Sequence, residues 1–438
     1  MSAGPEAPRE GYTHDDEPTP SAGYRSYEVF QRERVAESST SITPRRLIGD
    51  EMLTSPFPLL GLVREHEPCY RDWVGNRFWV TRYDDVTSVF TDDANYETRS
   101  RRWRAAREDL GRDLCREIPV LEARARRTDD ALVGIVERIL SDLGRDDGPD
   151  VATGLAARLP LELWGAVLDL PPADLPEFSS RYWLMQRSHG WDTSAKRDGG
   201  TAIDELVAYF EPLLARRRAN PGDDLISAIA GLEVDGPPVD AGDIVATILE
   251  ADHETLHGGL ANLWFRLLVD DEQLAVVRDD RRLVKFAWLE ALRHSPPVLT
   301  AERFSRHEVE RFGRLIPDGA LLACSAGAAN RDPRTFEDPD AFIVERSDLC
   351  QREPRGQYRA DGLPSGIAFG LGPPSRHPAM PKERPRSDYA ITRDVAVTAS
   401  RMLLEAHPGI RLAPGFAPTM RSLRLGEMHT CWALPVTW

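Results

Sequence analysis

One short run in the middle of the chain combines side chains that move protons. Asp252, His253, Glu254 and Thr255 follow one another, so two carboxylates, an imidazole and an alcohol lie within four residues. Carboxylates and imidazole are common general acids and bases in enzymes. Successive helical residues point about 100° apart, so the three ionisable side chains cannot share one face and a metal site is not expected. Asp252 with Thr255 can line one wall of a pocket and act there as acid or base, while His253 is either part of that pocket or a packed or solvent-edge histidine. His257 follows His253 at a spacing that can bind zinc, but no third ligand is evident and no metal is predicted.

A second set of residues combines a carboxylate with two guanidinium groups, which can form ion pairs. The segment LEALRHS contains Glu290 and Arg293, which are three residues apart and therefore neighbours on one face of a helix. A turn-rich segment further along the chain contributes Arg346. We expect these three side chains to form a buried ion network that fixes the fold and takes no catalytic part. Loss of one member of such a network costs about 3–5 kcal/mol.

A third feature is a glycine-rich turn, FGLGPPSRHP, whose glycines suit a loop that surrounds a ligand. Phe369, Gly370 and Gly372 form the turn, and Arg376 and His377 follow it. A guanidinium stays protonated and has no lone pair to offer a metal, whereas an imidazole can bind one. Of the two side chains that follow the turn, only His377 could therefore bind a metal.

The elements that must position these residues are mainly helical. Apolar residues recur at three- and four-residue spacing over 117–300. Within that region, residues 239–272 predict one long central helix, apolar nearly all round. Short strands are predicted around 300–325, followed by a closing helix over 391–409 and a short β-rich tail. Residues 1–45 are polar and rich in proline and glycine, which predicts a mobile tail, and 46–438 is expected to form a single domain.

Taken in order, these landmarks resemble the cytochrome P450 family over most of the chain, from about residue 52 to the end. ADHET, residues 251–255, is similar to the oxygen-binding part of the family's central helix. Glu290 and Arg293 match its ExxR motif, Arg346 matches the third member of its Glu-Arg-Arg cluster, and Arg303 stands where an arginine binds a haem propionate. In this chain we expect Arg303 to pair with a nearby acid instead. FGLGPPSRHP is similar to the haem loop. The resemblance implies the cytochrome P450 fold, which is mainly α with a small β subdomain.

The resemblance also shows where this chain departs from the family. Arg376 stands where the cysteine that binds the iron belongs, and Asp252 replaces a glycine that lets the central helix approach haem. The family's oxidations need a thiolate ligand. We therefore expect no haem and no other cofactor, with Asp252 and Arg376 either pairing across the emptied pocket or pointing to solvent. A haem protein that uses His377 as ligand is an alternative.

Three functions follow from this interpretation. The first is a haem-free auxiliary partner of a biosynthetic enzyme, such as a glycosyltransferase of bacterial secondary metabolism, because the family contains such degenerate members. The second is a non-oxidative enzyme that cyclises, eliminates or rearranges a hydrophobic natural-product intermediate by acid–base chemistry in the vacated pocket. The third is an atypical haem protein with altered oxygen chemistry.

Composition narrows the possible partners and location. The formal net charge of −16 argues against general affinity for nucleic acid or anionic membranes. No apolar run is long enough to cross a bilayer, and the five cysteines are scattered, which favours reduced thiols and a cytoplasmic protein. The arginine-rich run RSRRWR, residues 99–104, is expected to be a solvated or salt-bridged surface, or part of a mobile lid.

Overall fold

The computed structural model describes residues 42–190, 192–251, 253–350, 359–360, 363–367, 386–423 and 428–438. Sixteen α-helices occur in these residues: α1 (Pro44–Ile48), α2 (Asp50–Thr54), α3 (Pro56–His66), α4 (Tyr83–Phe90), α5 (Arg101–Arg104), α6 (Ile118–Leu143), α7 (Arg158–Val167), α8 (Leu175–Arg187), α9 (Thr193–Ala219), α10 (Leu225–Ala230), α11 (Ala241–Glu250), α12 (Glu254–Leu268), α13 (Asp271–Asp279), α14 (Val284–His294), α15 (Ala326–Ala329) and α16 (Asp388–Ala406). The predicted mainly helical framework is confirmed.

The described strands are short and lie in small sheets: β1 (Cys69–Asp72), β2 (Arg77–Val80), β3 (Tyr96–Glu97), β4 (Thr300–Ser305), β5 (Val309–Arg311), β6 (Arg314–Ile316), β7 (Leu321–Ser325), β8 (Arg359–Ala360), β9 (Leu363–Pro364), β10 (Arg411–Leu412), β11 (Met420–Leu423), β12 (Met428–Cys431) and β13 (Val436–Thr437). The largest sheet has the order β1-β2-β7-β4-β3. In it β2 and β7 are parallel, while the other neighbours are antiparallel. This sheet and the hairpins form the small β part that was expected.

The expectation of one uninterrupted central helix over 239–272 is wrong. Helix α11 ends at Glu250 and α12 begins at Glu254. Ala251 takes an extended conformation, with φ −66° and ψ 138°, which ends the helical hydrogen-bond pattern. The physical reason lies in packing, because α11 belongs to one hydrophobic cluster together with α8 and α9, whereas α12 belongs to another together with α14 and α16. The break lies where the chain passes from one cluster to the other.

The arginine-rich run is less exposed than expected. Its helix, α5, has half-buried side chains, and Arg101 and Arg102 form ion pairs with α12 and α11. The expectation of a salt-bridged face describes what the structure shows for Arg101 and Arg102, whereas the alternative of a mobile lid stays a prediction. The reason is that the acidic residues around the helix break attract this cationic turn.

Two remaining expectations concern the N-terminal tail and the absence of a membrane-spanning segment. The predicted tail falls mostly on residues 1–41, which lie outside the described residues, and α1 already begins at Pro44. Among the residues that are described, no helix is both long enough and apolar enough to cross a membrane.

Candidate functional site

The buried Glu-Arg-Arg network has close geometry. Two nitrogens of Arg293 each lie 2.7 Å from an oxygen of Glu290, and Nε of Arg346 lies 3.2 Å from Oε1 of Glu290. Arg293 also donates to the carbonyls of Asn330 and Pro339, both at 2.8 Å. Helix α14 presents Glu290 and Arg293 on one face because they are three residues apart. The structure therefore brings together the three residues that the sequence singled out.

The break between α11 and α12 is a second ion-pair centre. Glu254 opens α12 and is buried, and its Oε2 lies 3.5 Å from Nη2 of Arg101. Its other oxygen lies 3.9 Å from Nε2 of the buried His189. Nη1 of Arg101 also donates to the carbonyl of Ala251, at 3.2 Å, and to Oε1 of Gln186, at 3.1 Å. One guanidinium thus joins α5, α8 and both sides of the break.

Helix α5 is itself held against α11 by a single carboxylate. Glu250, the last residue of α11, accepts from the backbone N–H groups of Arg101 and Arg102 at 3.1 and 3.2 Å, and from Nε of Arg102 at 3.2 Å. Arg102 also donates to the carbonyls of Leu110 and Gly111. The carboxylate therefore satisfies N–H groups at the start of a helix that has no intrahelical acceptor for them.

A row of aromatic and imidazole rings crosses from α8 to α12. The ring of His253 packs edge-on against Tyr182 and Trp183, with centroids 5.4 and 5.1 Å apart. The ring of His257 packs edge-on against Trp183 and Trp432, at 5.4 and 5.5 Å. Burial lowers the pKa of His257 to about 4, although nearby Glu254 opposes this shift. His257 is therefore neutral at physiological pH, and the two histidines of this turn pack against tryptophan.

Arg303 and Thr255 occupy separate buried positions. Arg303 lies on β4, where its guanidinium sits 4.3 Å from the centre of the Phe90 ring and donates to the carbonyl of Glu302 at 2.7 Å. Thr255 is fully buried one residue after Glu254. The arginine and the acid–alcohol pair both belong to the protein interior.

A small cavity adjoins the break. It has a volume of about 40 Å³ and is lined by residues from both sides of the break and from helices α6, α7 and α16, including Arg124, Ala251, His253 and Thr392. Such a volume has room for a water molecule. In this cavity His253 faces the first turns of α16.

Several predicted site residues lie outside the described part of the chain: Asp252, Phe369, Gly370, Gly372, Arg376 and His377. The proposed pairing of Asp252 with Arg376 therefore stays a prediction. In contrast, sequence reasoning missed Arg101 and His189, which lie near the Glu254 carboxylate, and Gln186, which accepts a hydrogen bond from Arg101. The only signal for Arg101 was the arginine-rich run, and that run does not indicate a partner about 150 positions away.

The residues that would surround a haem fit that group only in part. The cation expected at a propionate, Arg303, is present and buried, and the acid–alcohol pair lies at the helix break. Among the described cysteines, burial raises the pKa of Cys69 and Cys324 to about 12 and that of Cys431 to about 11. The sequence has no cysteine between 351 and 430. The side chain that would bind iron is therefore not identified.

Comparisons with known proteins point to one family. No family model matches the chain. It is 30% identical to cytochrome P450 107B1 of Saccharopolyspora erythraea, over 67% of each chain, and 28% identical to pulcherriminic acid synthase of Bacillus subtilis, over 76% of this chain and 86% of that one. It is 26% identical to cytochrome P450 monooxygenase PikC of Streptomyces venezuelae, over 92% and 97%.

The fold comparison agrees with the sequence comparison. The solved structure of ligand-free cytochrome P450 TbtJ1 superposes with a TM-score of 0.71 at 24% identity, over 89% of this chain and 99% of that one. This likeness confirms the predicted fold.

The comparisons also correct two sequence-based expectations. The relatives carry the names of oxidising enzymes, so the prediction of a haem-free auxiliary protein or non-oxidative enzyme is wrong, as is the prediction that no cofactor binds. Both rested on a few positions, chiefly Arg376 and Asp252, which lie outside the described residues, whereas the likeness extends over most of the chain. By sequence and by fold, this chain belongs to the cytochrome P450 family.

Proposed function

We propose that this protein is a haem-dependent bacterial oxidase of the cytochrome P450 type, which oxidises a hydrophobic small molecule of secondary metabolism. The names of its relatives, which include an acid synthase and a monooxygenase, support the reaction class. The observation that carries the proposal is the interruption of the central helix at the acid–alcohol pair, Glu254 and Thr255. A cytoplasmic location is part of the same proposal.

The chain's own residues have separable roles in this proposal. When bound, haem supplies the iron that activates oxygen. Arg303 would neutralise a haem carboxylate, while Glu254 and Thr255 hold and pass a proton at the break. Burial of both residues excludes bulk water from the proton path, which strengthens electrostatic interactions there. The Glu290–Arg293–Arg346 network holds the framework and does not touch the reacting atoms.

Haem content tests the cofactor directly. The full chain is expressed with a haem precursor, purified and assayed for bound haem by its pyridine complex. The proposal expects close to one haem per chain. A chain that remains free of haem after reconstitution would contradict it. The absorption band of the reduced carbon monoxide complex then reports whether sulfur or imidazole binds the iron, because the axial ligand sets the electronics of haem.

Turnover tests the proton-delivering pair. Candidate hydrophobic metabolites are screened with a reductase system, and product is compared with reduced cofactor consumed. Glu254→Gln and Thr255→Val should each lower product formation on the order of 10²-fold, the contribution of a positioned acid–base group. The matched control Glu272→Gln changes an acid at the start of α13 and should leave turnover unchanged. Equal activity of Glu254→Gln and the unaltered protein would exclude Glu254 from the role.

A further inference from the structure

The break between α11 and α12 leaves polar backbone groups that need partners. The last carbonyls of a helix have no intrahelical donor. At the end of α11, the carbonyl of Ile248 accepts from Nε2 of Gln186 at 3.2 Å, and the carbonyl of Ala251 accepts from Nη1 of Arg101 at 3.2 Å. These donors come from α8 and α5, and they are bonded to each other. The Ile248 carbonyl also accepts from the backbone N–H of Ala251 at 3.3 Å, so side chains from two other elements add to the backbone bonding at the end of α11.

The same guanidinium acts on both sides of the break. A positive group is favoured at the carboxyl end of a helix, where the helix dipole is negative, and Arg101 provides one at the end of α11. Its Nη2 also faces the Glu254 carboxylate at the first residue of α12. Because the side chains of Arg101 and Glu254 are only 13% and 9% exposed, solvent screens this pair weakly. Arg101 thus contacts both the end of one helix and the acid that opens the next.

The backbone of Arg101 is fixed as well. Its N–H donates to the Glu250 carboxylate at 3.1 Å, and Ser100 caps α5 by accepting from the N–H of Trp103. Trp103 packs against Phe304 of β4, with ring centroids 5.6 Å apart. The guanidinium therefore projects from a short helix anchored to α11 on one side and to β4 on the other.

From this arrangement we propose that Arg101 is a positioning residue, which holds the helix break in place and orients the Glu254 carboxylate. It acts through Glu254 and the Ala251 carbonyl rather than on the substrate. A planar guanidinium suits this task because its donors point in fixed directions. A lysine ammonium at the same position keeps the charge but lacks the fixed, planar arrangement of donors.

Hydrogen exchange tests the proposal without any cofactor. The full chain is compared with Arg101→Gln and Arg101→Lys at the amides of residues 257–260, the first hydrogen-bonded turn of α12. Local opening governs exchange of such amides. We expect exchange on the order of tenfold faster in Arg101→Gln, with Arg101→Lys in between. If Arg101→Gln does not fold, Arg101→Lys decides by the same measurement.

The matched control is Arg107→Gln. Arg107 lies just after α5 and pairs with Asp109 and Asp204 at 3.0 and 2.9 Å, so this variant loses comparable contacts away from the break. Exchange at 257–260 should not change in it. Unchanged exchange in both Arg101 variants, or an equal increase in Arg107→Gln, would overturn the proposal.

A second readout separates positioning from general stability. In the loaded enzyme, Arg101→Gln should lower the ratio of product to reduced cofactor consumed on the order of tenfold and leave KM within a factor of about two, because binding of the substrate is not altered. Arg101→Lys should restore part of this ratio. A rise in KM with an unchanged product ratio would contradict the role. Since exchange needs no haem, failure of the proposed oxidation and failure of this inference give different results.

Discussion

Glu290 with Arg293 and Glu254 with Arg101 are two ion pairs of the same chemistry in different settings. The first pair is fully buried, bidentate and formed by residues three apart on one helix, with both contacts at 2.7 Å. The second is longer, at 3.5 Å, and joins residues 153 positions apart. Main-chain carbonyls surround Arg293, whereas Arg101 meets a helix break.

The difference teaches how one chain separates a rigid part from an adjustable part. A buried, bidentate pair with additional hydrogen bonds has one favourable geometry, and loss of one partner leaves a charge uncompensated. A longer pair at the junction of several elements can change its geometry at smaller cost. We infer that α14 serves as framework and that the break between α11 and α12 is where the molecule can adjust.

The largest expected effect comes from breaking the framework pair. Glu290→Gln keeps the side-chain shape and leaves Arg293 and Arg346 without their carboxylate, so the free energy of unfolding should fall by about 3–5 kcal/mol. Urea unfolding followed by circular dichroism measures the change. The control Glu405→Gln breaks an exposed pair with Arg281, 3.3 Å long, and should change stability by less than about 1 kcal/mol. Similar losses in the two variants would contradict the comparison.

Acidification should act next, through the buried imidazole of α12. The pKa of His257 falls from 6.5 to about 4 in the folded protein, so the unfolded chain binds the proton more tightly. Stability linked to this group is complete above pH 6.5 and is lost as the pH falls toward about 4, by roughly 3 kcal/mol in total. His257→Gln should remove that part of the loss between pH 7 and pH 4.5.

The control for this prediction is an exposed histidine on α3. His66→Gln should leave the acid-induced loss of stability unchanged, because His66 is exposed in the folded protein. Unfolding free energies at the two pH values are compared within each variant, so that any effect of substitution alone cancels. A pH dependence in His257→Gln equal to that of the unaltered chain would show that His257 is not the group responsible.

Packing between helices α12 and α14 can be tested at a glycine of α12. A Cβ added at Gly259 of α12 would lie 2.7 Å from Cη2 of Trp288 on α14, which also carries Glu290. Gly259→Ala should therefore destabilise the protein by about 1–3 kcal/mol through overpacking. At Gly134 of α6 an added Cβ meets nothing within 4 Å, so Gly134→Ala should stabilise it by up to about 1 kcal/mol. Thermal unfolding of both variants checks the opposite signs.

The smallest expected effect is the coupling energy between Arg101 and Glu254 at the break between α11 and α12. A double-mutant cycle of Arg101→Gln and Glu254→Gln should give a coupling energy of about 1 kcal/mol, since one contact of 3.5 Å joins the two side chains. The buried pair of Glu290 and Arg293 should give several kcal/mol in the same kind of cycle. Coupling energies that are equal within error would remove the distinction between framework and adjustable region.

Local patterns predicted the framework well and the helix break poorly. The ExxR spacing placed Glu290 and Arg293 on one face of a helix, and apolar periodicity located α6, α14 and α16. Periodicity failed at 239–272 because α11 and α12 are both apolar on their buried faces, and nothing local shows that these faces belong to different clusters. The pattern could not distinguish one helix from two.

The candidate site was predicted only for the residues that carry motifs. Glu254 and Thr255 stand out in the run ADHET, but Arg101, Gln186 and His189 lie in segments with no motif. Polar contacts between such segments depend on how helices pack, which a pattern of single residues does not encode. The expectation about the cofactor went wrong for a related reason, because two departures from the family pattern, Arg376 and Asp252, were given more weight than the likeness of the whole chain.

By itself, the sequence determined the family likeness, the helical framework and the residues of the Glu-Arg-Arg network, since each depends on local spacing or on a motif. Only the tertiary structure decided where the central helix breaks and which cation meets Glu254. The physical reason is that both outcomes depend on contacts between residues roughly 150 positions apart, which form only when α5, α8, α11 and α12 are packed together.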